Sequence, residues 1–397
     1  MENGIAVAAL QVINTCLTGA ISALQEENKR RRKRKAGAIY CIKPRYRSEC
    51  TNIQTLITEY NLASDMSSLE SYLLMDENIF NELYSYVENN IQKQDTHLRK
   101  SIPGKALLAA SIRFLVTGEN FRELGEKLTL SQSYLKENFL SVCNAIYMKM
   151  KGRYLKFPNS KEKWIEVAND FEDMCQFPNC LGALEAKHIA FTPSKEKSSL
   201  FCNNKGYTSI VLLALADAND KFLFIDVGYK GCISDEDVFF RSILSDIVEN
   251  SDTIFPPPRL VGNNRKLPFV ILGRNGFPLL KNLMVPYPKS NTDPKSVNFN
   301  TRLNRGHQSI GRALGILSNR FRVFQRPILL NETKAKAIVL CCCVLHNFLI
   351  EKSSWYKNLY PNDMEEEDFS AEFIENLENA AFIRDKFANY FQNEGKS

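Results

Sequence analysis

From about residue 52 to residue 161, apolar side chains recur every three to four positions, as at Ile79, Leu83 and Val87, the period of a helix with one buried face. Within that half, 104–116 reads as one helix, 120–128 as a second with Asn120 as its N-cap, and 131–149 as a third capped by Ser131. Thr129 and Leu130 make the turn between the last two. Beyond Phe177 the pattern changes to apolar runs of strand length at 180–185, 207–216, 221–229 and 268–272. Asp217, Ala218, Asn219 and Asp220 form a turn-rich joint, so the second and third runs are expected to pair as an antiparallel hairpin. A helix opening near Ser234, with Asp235, Glu236 and Asp237 in its first turn, carries Val238, Phe239, Ile243 and Ile247 on one side. After a loop through Pro256, Pro257 and Pro258 come the fourth strand, a helix over 302–321 and a last core helix over 333–351. The helix over 302–321 lines up Leu303, Ile310, Leu314, Leu317 and Phe321. A closing amphipathic stretch with Phe373, Leu377, Ala381 and Phe387 is expected to dock on the body or on a partner.

These patterns divide the chain into an N-terminal helix and basic segment (1–50), a helical, helix-turn-helix-like domain (51–162), an α/β domain (163–352) and an acidic, partly helical tail (353–397). The tight turn at 129–130 suggests a helix-turn-helix whose second helix would enter a major groove. That helix offers Lys136 and Lys149 but also Glu137, so its charge is close to neutral. A packing or protein-binding role is therefore the better reading, with direct base reading as the alternative.

Charge sharpens the picture at one place. The chain carries 51 Lys and Arg against 45 Asp and Glu, a bias that permits a nucleic-acid partner without demanding one. Lys29, Arg30, Arg31, Arg32, Lys33, Arg34 and Lys35, however, are seven consecutive like charges that stay solvated or meet an anion. Nuclear import or phosphate contact is the expectation, and the chain is assigned to the nucleus. The uncharged stretch 5–24 is broken by Gln11, Asn14, Thr15, Thr18 and Ser22, and its basic flank follows it. It reads as a weakly amphipathic helix and not as a signal peptide or membrane anchor. Eleven cysteines without a Cys-x-x-Cys pair argue against zinc and for small buried side chains in a reducing compartment.

Strand, hairpin, helix, strand, helix is the order expected of an RNase H-like domain, a mixed sheet with flanking helices. In such domains carboxylates at strand ends and on a late helix hold two divalent cations that clamp a phosphodiester. Mg²⁺ requires oxygen ligands, so Asp and Glu at those positions are a chemical necessity. The segment Phe177-Pro-Asn-Cys-Leu-Gly-Ala-Leu-Glu-Ala-Lys-His188 resembles the PIF/Harbinger transposase segment that ends its first strand in Gly-Ala-Ile-Asp-Gly-Lys-His. Asn203 to Gly206, Asp226 to Gly228, Ser234-Asp235, Phe299-Asn300 with Arg302-Leu303, Gly315 to Phe321 and Leu345 to Asn347 follow in the order of that family.

The resemblance implies a catalytic triad of carboxylates, and each position can be followed here. The first Asp falls on Glu185, a carboxylate one methylene longer. The second belongs in a Gly-Asp-x-x-Phe context, where this chain reads Gly273-Arg274-Asn275-Gly276-Phe277. The Glu belongs on the next helix, at Gly311. The resemblance so implies a domesticated, catalytically degenerate transposase with no metal and no cofactor. The alternative is a Harbinger-type endonuclease using Mg²⁺ on a rearranged carboxylate set, such as Glu185 with Asp226 and Asp235. Sheet packing for Asp226 and a helix start for Asp235 are the better readings.

Arg302, Arg305, Arg312, Arg320, Arg322 and Arg326 occupy a stretch free of acidic residues, and the first five are taken as candidate nucleic-acid contacts. His188 and His346 are read as neutral core histidines and are assigned no chemistry. The family further implies a nuclear partner, a Myb- or SANT-type DNA-binding protein or a chromatin complex, together with non-specific DNA and no membrane.

Overall fold

The strand expected to stop at Glu185 runs on to Ala190, because its antiparallel neighbour extends alongside and pairs with it as far as Ala190. This strand, β1 (Cys180–Ala190), is the centre of the fold in a computed structural model that describes residues 73–94, 101–128, 130–262, 265–356 and 378–394. It pairs antiparallel with β2 (Ser209–Ala216), which pairs antiparallel with β3 (Phe222–Lys230). The 217–220 turn closes that hairpin as expected: the Asp217 carboxylate accepts the Asn219 and Lys221 N–H groups, and Asp220 takes a left-handed φ of 64°.

A small two-stranded sheet, β4 (Arg259–Val261) with β5 (Arg265–Leu267), precedes β6 (Val270–Leu272), which lies parallel to β1 on its other edge. β7 (Leu283–Met284) extends the main sheet to the order β3-β2-β1-β6-β7. A mixed five-stranded sheet flanked by helices is the RNase H-like arrangement the element order implied.

The helical half contains α1 (Glu77–Ile91), α2 (Gly104–Thr117), α3 (Phe121–Lys127), α4 (Gln132–Tyr154) and α5 (Lys161–Cys175). Asn120 accepts the Arg122 and Glu123 N–H groups and Ser131 that of Tyr134, so both expected caps are in place. α4 does not stand out as a recognition helix. Leu135, Phe139, Val142, Cys143, Ile146 and Met150 are buried in a core shared with the sheet and with α9 (Glu332–Lys352). The proposed boundary at 162 therefore falls in the first turn of α5 and does not divide the core. α9 is apolar and long enough to cross a membrane, but it is mostly buried inside the fold.

The helix expected from Ser234 is two helices, α6 (Asp235–Arg241) and α7 (Ile243–Glu249). Ser242 adopts an extended conformation between them and caps the second by accepting the Leu244 N–H. α8 (Pro294–Arg320) starts two turns earlier than expected, since Asp293 is its cap and Pro294 its first residue. α8 joins the two cores: Phe299 and Leu303 pack in one, Ile310, Ala313 and Leu314 in the other. The closing amphipathic segment does dock on the body. In α10 (Glu378–Glu394), Phe387 and Phe391 lie with ring centroids 5.5 and 5.2 Å from Phe177, and the Arg384 guanidinium covers Tyr287 at 4.0 Å. Phe373 and Leu377 of that segment lie outside the described residues, as do the basic run 29–35 and the N-terminal helix.

Candidate functional site

The parallel pairing of β1 and β6 sets Ala183 beside Leu272. Two residues further along each chain the side chains of Glu185 and Arg274 meet, with Arg274 Nε 3.3 Å from Glu185 Oε2. The third member comes from α8, which packs close to β6: a Cβ at Gly306 would stand 2.6 Å from Leu272 Cδ1. The next residue, His307, is thereby buried against the pair.

His307 Nε2 is 2.8 Å from the Leu184 carbonyl, Arg274 Nε is 3.4 Å from His307 Nδ1, and His307 Nε2 lies 3.6 Å from Glu185 Oε2. Burial, helped by the Arg274 charge, pushes the imidazole down to about 3, so it is neutral at physiological pH. The geometry then requires the proton on Nε2, donated to Leu184, with Nδ1 accepting from Arg274. Gly311 follows His307 by one turn on the same side of α8, and no heavy atom lies within 4 Å of a Cβ built on it. Glu185 and Arg274 thus meet at His307, with Gly311 one helical turn beyond it. His307, which sequence reasoning passed over, touches both Glu185 and Arg274. Its only signal was its position one turn before Gly311.

The rearranged carboxylate set does not assemble. Asp226 pairs with Leu213, which pairs with Ala186, so its side chain leaves the sheet on the face opposite to Glu185, where it accepts the Tyr229 hydroxyl at 2.6 Å. Asp235 starts α6, with Oδ2 3.3 Å from where a Gly276 Cβ would be, and burial raises its pKa to about 6. Among the described residues no three His, Cys, Asp or Glu side chains converge as a metal site.

The arginines divide. Arg302 Nη1 and Arg305 Nη1 both donate to Gln176 Oε1, at 2.7 and 3.0 Å, and Arg312 pairs with Asp220 at 2.9 Å. At 100° per residue these three occupy the side of α8 turned away from His307 and Gly311. Arg322 is exposed. Arg320 is a correction: it is 1% exposed, donates through Nη2 to the Leu73 carbonyl, and cannot reach a phosphate. Sequence alone hid this because burial of a guanidinium depends on which neighbours supply its acceptors. His346 is a core histidine as expected, with Nδ1 3.0 Å from the Tyr356 hydroxyl and Nε2 2.8 Å from the Asp220 carbonyl. His188 Nδ1 faces the Ser209 hydroxyl at 2.9 Å.

The family described as DDE superfamily endonuclease matches residues 185–347, a span that opens on Glu185 and takes in Arg274, His307 and Gly311. Over this span the chain carries a DDE-superfamily domain, in keeping with the Harbinger resemblance. It is 25% identical to Protein ALP1-like of Arabidopsis thaliana over 74% of this chain and 73% of that protein. It is 24% identical to Antagonist of Like Heterochromatin Protein 1 of the same plant, over 64% of each. It is 22% identical to HARBI1 of Homo sapiens, whose name carries the word nuclease, over 64% of this chain and 70% of that one. No solved structure matches it.

A DDE site implies divalent metal, and the side chains present do not fit it. One carboxylate faces a guanidinium, and the third position has no side chain. A divalent ion about 4 Å from Arg274 would be repelled by roughly 8 kcal/mol at an effective dielectric near 20.

Proposed function

We propose that this DDE-superfamily chain is a non-catalytic, transposase-derived nuclear protein that acts in chromatin or transcription regulation by binding DNA, protein or both. The observation that carries the reading is the Arg274–Glu185 pair: the second ligand position holds a cation bonded to the first. Sequence relatedness to Antagonist of Like Heterochromatin Protein 1, a protein named for heterochromatin, supports the chromatin setting. The burial of α4 in the shared core favours dependence on a nuclear partner, such as a Myb- or SANT-type protein, over direct base reading. The basic run at 29–35 supplies the import signal in this reading.

Incubating the full chain with supercoiled plasmid and Mg²⁺ or Mn²⁺ tests it. No nicking above background is expected. Nicking abolished by Glu185→Ala would establish the endonuclease reading instead. Affinity purification from nuclear extract should recover chromatin-associated proteins, and recovery of cytosolic proteins alone would remove the nuclear assignment.

A further inference from the structure

We infer that Arg274, Glu185, His307 and the space at Gly311 form a metal-independent binding site for a phosphodiester group of nucleic acid. The inference rests on the DNA-binding arm of the function proposed above. Arg274 Nε lies 3.3 Å from Glu185 Oε2 and 3.4 Å from His307 Nδ1. Its two terminal nitrogens make no hydrogen bond among the described residues, and the side chain is 40% exposed. Glu185 and neutral His307 hold the inner edge of the guanidinium, so the outer edge is oriented in advance. Two parallel N–H donors on a fixed plane match a pair of phosphate oxygens.

Gly311, one helical turn beyond His307, leaves open space: no heavy atom lies within 4 Å of a Cβ built there. Lys187 projects from the same face of β1 as Glu185, two residues along, and is exposed. Glu185 offsets one cation, Lys187 leaves a second, and His307 adds no charge. Three carboxylates would need metal ions to bring a phosphodiester this close. Here the positive charge belongs to the protein, which can hold the group but has nothing to activate water against it. The Arg302, Arg305 and Arg312 side of α8 faces elsewhere and is a separate surface.

Binding of the full chain to a short fluorescent duplex DNA of arbitrary sequence, measured by anisotropy across a salt series in EDTA, tests the site. Wild-type binding should be the same in EDTA and in Mg²⁺. Arg274→Gln should weaken it by roughly tenfold, the worth of one charge-assisted contact, and lower the salt slope by about 0.9. Gly311→Glu, which adds a carboxylate one turn beyond His307 at a position whose Cβ meets no heavy atom within 4 Å, should weaken it comparably and leave the thermal midpoint near that of wild type. The double variant Arg274→Gln with Glu185→Gln should keep the loss. Wild-type affinity in the double variant would trace the loss to an unpaired Glu185 and overturn the site. So would unchanged binding by Arg274→Gln, or displacement of DNA by a glutamate-rich peptide that binds more tightly. Absence of any DNA binding would overturn the site and the DNA arm together, whereas plasmid nicking would overturn the non-catalytic reading.

Discussion

Arg274 Nε lies 3.3 Å from Glu185 Oε2 because two parallel strands in register deliver both side chains to one point; in the function proposed above, that point is where a DDE site would bind metal. The double variant Arg274→Asp with Gly311→Glu should therefore recreate three converging carboxylates. A rise in thermal midpoint with added Mn²⁺ is expected for that variant and not for wild type, since a ligand of the native state stabilises it by mass action. Equal responses from both proteins would mean that the three positions do not surround a common site.

Acid should weaken the fold through its buried histidines. Burial pushes His307 down to about 3 and His346 to about 4. Unfolded histidine titrates near 6.5, so the stability each contributes is complete above about 6.5 and is lost as pH falls toward those folded values. Asp217 and Asp235 act in the opposite sense: burial raises each to about 6, so their contribution is present at low pH and lost as pH rises through 6. His346→Gln should flatten the acid limb of a urea-midpoint against pH curve between about pH 4 and 6.5. An unaltered limb would place the pH dependence elsewhere.

Two glycines should respond oppositely to alanine. Gly311→Ala meets open space inside α8 and should stabilise the fold by about 0.5–1 kcal/mol through helix propensity. At Gly231 a Cβ would stand 2.3 Å from the Ser209 hydroxyl oxygen and 2.6 Å from the Phe201 carbonyl, so Gly231→Ala should destabilise by roughly 1–3 kcal/mol. Urea melts of both variants check the signs.

Arg320→Ala should destabilise by roughly 2–4 kcal/mol, since it empties a buried volume and leaves the Leu73 carbonyl without its donor. The salt slope of DNA binding, measured where the variant is still folded, should not change. A slope reduced by about 0.9 would return Arg320 to the set of phosphate contacts.

Much of this was readable before any coordinates. The N-caps Asn120 and Ser131, the 217–220 turn and the periods of the strands and long helices are local properties of a few neighbouring residues, and they appear where expected. The residue types at 274 and 311, set beside the family resemblance, are likewise legible in the sequence, because neither a guanidinium nor a glycine side chain supplies a carboxylate ligand.

Other features depended on contacts between residues far apart in sequence. Parallel register placed Glu185 against Arg274, and the close approach at Gly306 brought in His307, 33 positions beyond its hydrogen-bond partner Arg274. The same kind of information separated the arginines, burying Arg320 against Leu73 and pairing Arg312 with Asp220. It also turned α4 from a candidate recognition helix into part of the core. Local pattern determines which segments are helices and strands; the free energy of a charged side chain depends on its dielectric surroundings and partners, and only the packed chain supplies those.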